Sequence, residues 1–424
     1  MPVAGAHLPR VGEIAIFHLT RIHAEGFKAL DPVDMRIPEK LLFLIGSNGA
    51  GKSSTLQALA FIQFFAIGKP AEFITERGWN RLEVRSKTIE KSHNTFRYHL
   101  LFEDEHRTLL LWQFNWGVIS ESVLNEQMWI WKSGSTPKRL FYYNKKEFLE
   151  TETGERISGL MSTGSIINII EPSRLTSEHS ALSAAIDWCA RITSLELLSP
   201  VAMRGNARGT PKGIGIRGQR LSGFLATLDG KTKSRIVDRL SDFYPLQGLN
   251  TTKKKAGWID LKISESFSIG PISAQHMSDG FMRLLALCAI PEFGSRSSLV
   301  LLDEIEDGIE PHILPRLIER IVKDSSAQFI MTSHSPLLIN FFEPENVVLV
   351  SRAEDGRSIF APIADLGVVK SGREFLGPGE IWANAGLSTL NEQAADAHRH
   401  SKGKSEDTTG KFSREWALQF MGYT

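Results

Sequence analysis

What most narrows the folds open to this chain is one uninterrupted stretch. Leu41-Leu-Phe-Leu-Ile45 runs directly into Gly46-Ser-Asn-Gly-Ala-Gly-Lys-Ser53. Five successive apolar residues read as a strand buried on both faces. The next eight fit G-x-x-x-x-G-K-[ST], and Ser53-Ser-Thr-Leu-Gln-Ala-Leu-Ala60 continues at helical spacing. Strand, glycine-rich turn and helix are the context in which this pattern cradles phosphates. Backbone N–H groups of Gly46, Ser47, Asn48, Gly49, Ala50 and Gly51, with Ser54 at the helix start, would wrap the phosphate oxygens, and the positive helix end favours the anion. Lys52 would reach the β- and γ-phosphates, and the Ser53 hydroxyl would ligate Mg²⁺. The expectation is a nucleoside triphosphate site.

Composition supplies the outer bounds. The 424 residues suggest two or three compact units, with 42% hydrophobic and 23% charged residues, as in an ordinary soluble protein. A formal net charge of +1 gives no global pull towards nucleic acid or membrane, so such contacts would have to be local patches. Cys189 and Cys288 lie in apolar surroundings and read as buried free thiols. With no apolar run of about 18 residues and no leader pattern, the reading is a cytoplasmic chain without a membrane contact.

Ahead of the glycine loop, residues 15–23 and Val33–Ile37 have strand character. Behind the helix, the stretch from Phe61 to Phe73 contains Gly68 and Pro70 and should break it. Thr95–Phe102, Thr108–Phe114 and Gln127–Trp131 suggest an antiparallel meander. Helical spacing then appears in residues 180–191 and 220–244. Between them, Arg204 to Arg217 is rich in glycine and arginine without an acid. It reads either as a solvated mobile loop or as a phosphate-contacting one. Lys253-Lys-Lys255 reads as a turn tip. There is no internal repeat and no long heptad stretch, which speaks against a coiled-coil arm.

Three further stretches carry chemistry. Ser278 sits where an N-cap would, ahead of Asp279, Gly280 and an apolar helix, and such a helix start offers a second phosphate-binding surface. Leu299-Val-Leu-Leu302 reads as a buried parallel strand ending in Asp303 and Glu304, at the edge where open α/β sheets hold ligands. Asp303 would hold Mg²⁺, and Glu304 would polarise the attacking water, with Glu306 as the alternative base. Gln328-Phe-Ile-Met-Thr-Ser-His-Ser-Pro336 is another buried strand with His334 just past its end, either structural or facing the γ-phosphate.

G-S-N-G-A-G-K-S, M-S-D-G, L-V-L-L-D-E and T-S-H-S-P, in that order, resemble the ABC-type ATPase heads of the RecF, SMC and OLD group, in particular the AAA family ATPases of bacterial antiphage defence modules. The resemblance spans most of residues 12 to 350. It implies an α/β P-loop NTPase head, with a mixed or parallel sheet, an antiparallel β lobe and a helical insertion. It also implies ATP and Mg²⁺ sandwiched in a homodimer or higher homo-oligomer, with Ser278, Asp279 and Gly280 of one head facing the P-loop of another. Asp307-Gly308 would cross that interface. The glutamine expected to sense the γ-phosphate has two candidates, Gln63 and Gln113. No nuclease pattern follows Arg352, so an effector, nuclease or toxin-like, would be a separate protein, and a DNA contact is possible.

The corresponding divisions are 1–150 for the N-terminal ATPase lobe, 151–270 for the insertion, 271–352 for the C-terminal lobe and 353–424 for an extension. In that extension Phe412–Phe420 puts Trp416 and Phe420 on one helical face, packed on its own head or docked on a partner. The expected activity is ATP hydrolysis used as a switch. A RecF-like repair ATPase and an ATP-stabilised scaffold are the alternatives.

Overall fold

The computed structural model describes residues 16–87, 93–132, 135–170, 178–367 and 387–402. The tail helix read at 412–420 lies outside them. Two large sheets share one helix between them.

The inner sheet has six strands in the spatial order Ile192–Leu195, Leu299–Leu302, Gln328–Ser333, Leu41–Ile45, Val347–Arg352 and Ser358–Pro362. All its pairings are parallel except the last. The strand leading into the glycine loop therefore sits inside the sheet, and its side chains alternate between two cores. Leu42 and Leu44 enter the core shared with the outer sheet. Leu41, Phe43 and Ile45 enter the core on the opposite face. The acidic strand divides likewise, with Leu299 and Leu301 on one side and Val300 and Leu302 on the other. A strand covered on both faces must be apolar at every position, which is why a continuous run rather than an alternating one encodes it.

The outer sheet has eight antiparallel strands, from Val33–Arg36 at one edge through His18–Glu25 and Thr95–Glu103 to Arg156–Ser158 at the other. The expected meander is its middle, and its last strand carries the sheet past residue 150. Helix Lys52–Ala66 packs beneath it through aromatic contacts. Phe61 meets Phe73, Phe96, Tyr98 and Trp116, and Phe65 stacks on Phe114 with ring centroids 3.8 Å apart. Gly68, at φ 78°, turns the chain before the next helix begins at Pro70. Gln328 joins the two sheets, accepting from the Leu19 N–H at 2.8 Å and donating to the Leu19 and Pro38 carbonyls.

Residues 151–270, expected as a helical insertion, do hold helices at His179–Ala190, Leu221–Thr227 and Gly230–Ser241. They also hold a small antiparallel sheet, with Leu246–Lys253 and Trp258–Glu265 paired and Ala207–Arg208 along the edge. Leu261 and Ile263 face inward on either side of Lys262, a period-2 signal, but a bulge between Leu246 and Gly248 sets the inward Leu246 and Leu249 three residues apart and breaks it. The glycine- and arginine-rich stretch is partly or fully exposed over most of its length but not simply solvated. It packs, with Ile214 fully buried and the Ile216 and Arg217 carbonyls accepting from the Glu196 and Ser199 N–H groups. Both cysteines are buried and free, and burial pushes the Cys288 thiol up to about 12. Among the described residues no helix is long and apolar enough to cross a membrane.

Candidate functional site

The sheet order brings three strand ends together. Leu41–Ile45, Leu299–Leu302 and Gln328–Ser333 are parallel, so their carboxyl ends share one edge, where the glycine loop, Asp303, Glu304 and His334 follow. Two loop glycines are required by close approach. Gly46 at φ 149° leaves no room for a Cβ against the Val350 carbonyl, and Gly51 at φ 116° leaves none against the Ser358 hydroxyl. That hydroxyl donates to the Ala50 carbonyl at 2.7 Å, anchoring the loop to the outermost strand of the sheet.

Lys52 is 5% exposed and bends back over its own loop. Its ammonium donates to the Gly46 carbonyl at 2.9 Å and the Ser47 carbonyl at 3.0 Å, and lies 3.3 Å from His334 Nδ1. Desolvation holds the Lys52 ammonium below the usual lysine range, against the opposing pull of Asp303, Glu304 and Glu306. The triphosphate chain of a nucleotide would give this ammonium an ion pair that it makes with no carboxylate among the described residues.

The Ser53 hydroxyl donates to Asp303 Oδ1 at 3.1 Å. A hydroxyl and a carboxylate converging beside a phosphate loop form the oxygen set that Mg²⁺ favours, and both residues fit the ion. Thr332, fully buried at the head of T-S-H-S-P but given no role by the sequence alone, organises this corner. Its hydroxyl donates to Asp303 Oδ1 at 2.6 Å and accepts from the Glu304 N–H at 2.8 Å.

Glu304 has φ 48°, a left-handed conformation that a non-glycine residue adopts at a cost of roughly 1–3 kcal/mol. The turn aims its carboxylate outward to lie 3.7 Å from His334 Nε2. His334 is held at its backbone, where its N–H donates to Glu306 Oε1. Lys52, Ser53, Asp303, Glu304 and His334 thus form one cluster. It can bind a phosphate chain, hold a divalent cation and orient a water.

Ser278, Asp279 and Gly280 lie elsewhere. Ser278 caps helix Asp279–Ala289 as expected, accepting from the Phe281 N–H at 3.2 Å. Ser278 and Asp279 are exposed, and no hydrogen bond among the described residues joins this turn to the glycine loop. Arg204 grips it from the side. Its guanidinium donates to the Met277 carbonyl, by Nη2 at 2.7 Å, and pairs with Asp279. A Cβ on Gly280 would fall 3.0 Å from the Gly308 carbonyl, so the capped turn and the 307–308 loop are in contact. Arg283, one turn along the helix, pairs with Asp307 at 2.5 Å.

Neither glutamine candidate reaches the cluster. Gln113 is 2% exposed inside the outer sheet and accepts from Gln127 at 2.8 Å. Gln63 is eleven residues down the helix from Lys52, roughly 16 Å along its axis, with its amide towards the Ala190 carbonyl.

The chain matches two family descriptions. Residues 21–183 match "AAA domain", and residues 171–340 match "AAA domain, putative AbiEii toxin, Type IV TA system". No curated protein matches it. Among solved structures, an SMC head bound to the C-terminal winged-helix domain of ScpA aligns at 13% identity with a TM-score of 0.51. The alignment covers 81% of this chain and 98% of that one. The SMC head domain from Thermotoga maritima aligns at 13% identity and a TM-score of 0.43, covering 81% of this chain and 98% of that chain. An SMC head from Pyrococcus furiosus with an extended coiled coil aligns at 11% identity and 0.48, covering 84% and 99%. The fold is similar to that of the SMC head aligned at a TM-score of 0.51, and the two AAA-domain matches together run along residues 21–340.

Proposed function

We propose that this chain, with AAA-type domains on an SMC-head fold, binds ATP and Mg²⁺ at the Lys52 loop, closes with a second copy around it, and hydrolyses it to switch a partner effector. The observation that carries the reading is the Glu304 carboxylate, turned out beside His334 at the rim of the phosphate loop. In this reading Lys52 neutralises the β- and γ-phosphates, while Ser53 and Asp303 hold the cation. Glu304 accepts a hydrogen bond from the attacking water and draws off its proton, and His334 fixes the γ-phosphate end. A scaffold that merely holds ATP has no use for a carboxylate so placed.

Ser278 and Asp279 are exposed, and Arg204, which holds this turn, follows the helix that carries the exposed Val201, 78% accessible, which favours a second head covering this edge. In this reading the effector is a separate toxin-like or nuclease protein, as in antiphage modules; the toxin–antitoxin wording of one matched family is that of the AAA domain itself.

Glu304→Gln preserves shape and removes charge. ATP should still bind, turnover should fall by about 10²-fold or more, and the protein should accumulate as an ATP-bound dimer in size-exclusion chromatography. Hydrolysis at the wild-type rate would move the base elsewhere, with Glu306 the first suspect.

A further inference from the structure

Away from the phosphate site, one oxygen of Glu25, one of Asp31 and one ring nitrogen of His93 lie within 4.8 Å of one another. We infer that these three residues bind a divalent first-row metal ion, and that the ion braces the floor of the phosphate loop.

The chain geometry builds the cluster from three directions. Glu25 ends the strand His18–Glu25, Gly26 at φ 88° turns the chain away, and Asp31 closes the resulting loop. His93 stands just ahead of Thr95–Glu103, the strand that pairs with the first. Asp31 is 7% exposed, so its charge needs a partner other than bulk water.

The decisive contact is between His93 and Asp31. His93 Nε2 is shielded from solvent and lies 3.0 Å from Asp31 Oδ2, yet it makes no hydrogen bond among the described residues. Two polar atoms this close, off the hydrogen-bond axis, are placed as neighbouring ligands of one cation. With metal–nitrogen and metal–oxygen bonds of about 2.0–2.2 Å, adjacent ligands stand about 3.0–3.5 Å apart. Glu25 Oε1 lies 3.7 Å from His93 Nδ1, so it either completes the set after a small shift or orients the ring as an outer carboxylate. Arg97 donates to both Glu25 oxygens at 2.9 Å, which fixes that carboxylate without exhausting its lone pairs. One imidazole with two carboxylates suits Zn²⁺, Mn²⁺ or Fe²⁺ better than Mg²⁺ or Ca²⁺, which favour oxygen alone.

The loop between Glu25 and Asp31 leans on the phosphate loop. Lys28 donates to Gln57 of the Lys52–Ala66 helix at 2.7 Å. The Ala29 carbonyl accepts from the Ser358 N–H at 2.9 Å, and the Ser358 hydroxyl holds Ala50. A cation tying Glu25 to Asp31 therefore stiffens the support of Ala50 and Gly51 without touching Ser53 or Asp303.

The test uses the full chain, stripped with chelator and titrated with Zn²⁺ or Mn²⁺ in the absence of nucleotide. Calorimetry should show one saturable equivalent, with a rise of a few degrees in melting temperature. His93→Gln should abolish both, while Asp303→Asn leaves them in place. Should His93→Gln misfold by circular dichroism, Glu25→Gln is expected to weaken binding at least tenfold. Absence of saturable binding overturns the inference. So does binding lost in Asp303→Asn but kept in His93→Gln, or binding that survives all three substitutions as an adventitious surface site.

Discussion

At the scale of single residues, the site depends on the hydroxyl of Thr332, the first residue of T-S-H-S-P, to which the sequence alone assigns no role. Thr332 bonds at once to the Asp303 carboxylate and the Glu304 N–H, so it links the cation-holding acid to the residue in left-handed conformation. Thr332→Val keeps the shape and removes both bonds. Losing roughly 1–1.5 kcal/mol of orientation should lower turnover about tenfold, with ATP affinity changed only a few-fold. Steady-state hydrolysis beside nucleotide calorimetry checks this, and an unchanged turnover would show that the hydroxyl does not orient Glu304. Lys52, Ser53, Asp303, Glu304 and His334 were readable because each follows an apolar strand in a local pattern. Thr332 lies inside such a strand, where its letter says nothing of which neighbour it faces. Gln63 and Gln113 failed as sensors for a related reason, since a glutamine's identity does not reveal which way its element points.

At the scale of elements, the outer sheet holds its connection to the next segment through one buried acid. Glu126, fully buried in strand Ser122–Trp131, accepts from Trp112 Nε1 at 3.0 Å, the Ser165 hydroxyl at 2.6 Å and the Ile166 N–H at 2.7 Å. Burial outweighs these three donors and pushes its carboxyl from 4.5 up to about 7. A folded-state value above the unfolded one means that the proton is held more tightly in the native state. Its contribution is therefore complete below about 4.5 and is lost as pH rises through about 7. Between pH 5 and 8 the wild type should lose stability by a component of about 2.5 kcal/mol. Glu126→Gln, neutral throughout, should lack that decline. Thermal melts across this range decide it, and equal slopes in both proteins would refute the assignment. The meander itself was legible from alternation and aromatic content. The small sheet of residues 246–265 was not, because its solvent face and its hairpin tip dilute the apolar signal.

At the scale of the whole molecule, the Ser278 turn is exposed, held by its own neighbours, and joined by no hydrogen bond among the described residues to its own phosphate loop. Arg204 clamps its flank, Gly280 touches Gly308, and Arg283 pairs with Asp307. If that edge completes the site of a second subunit, Lys52→Ala and Ser278→Arg should each be inactive alone, the first in binding ATP and the second in closing over it. Mixed dimers would contain one site with both lesions and one with none, so activity should partly return on mixing. A tag pull-down establishes subunit exchange. If exchange occurs without recovered activity, either each site is self-contained or both must be intact, and single-site nucleotide trapping separates these outcomes.

By itself the sequence determined the local units: the two-faced strand, the glycine turn and helix after it, the acid-tipped strand, the capped helix at Ser278. Each follows from apolar period, turn residues and capping, which act over a few residues and leave their mark in order along the chain. The tertiary structure decided what stands beside what. Ser53 meets Asp303 across 250 residues, and Lys52 meets His334 across 282, because the sheet inserts Leu41–Ile45 between two strands from the far end of the chain. The gathering of Glu25, Asp31 and His93, and the grip of Arg204 on Asp279, depend in the same way on long-range packing. Burial of both sheet faces selects that order, and no spacing in the sequence encodes it.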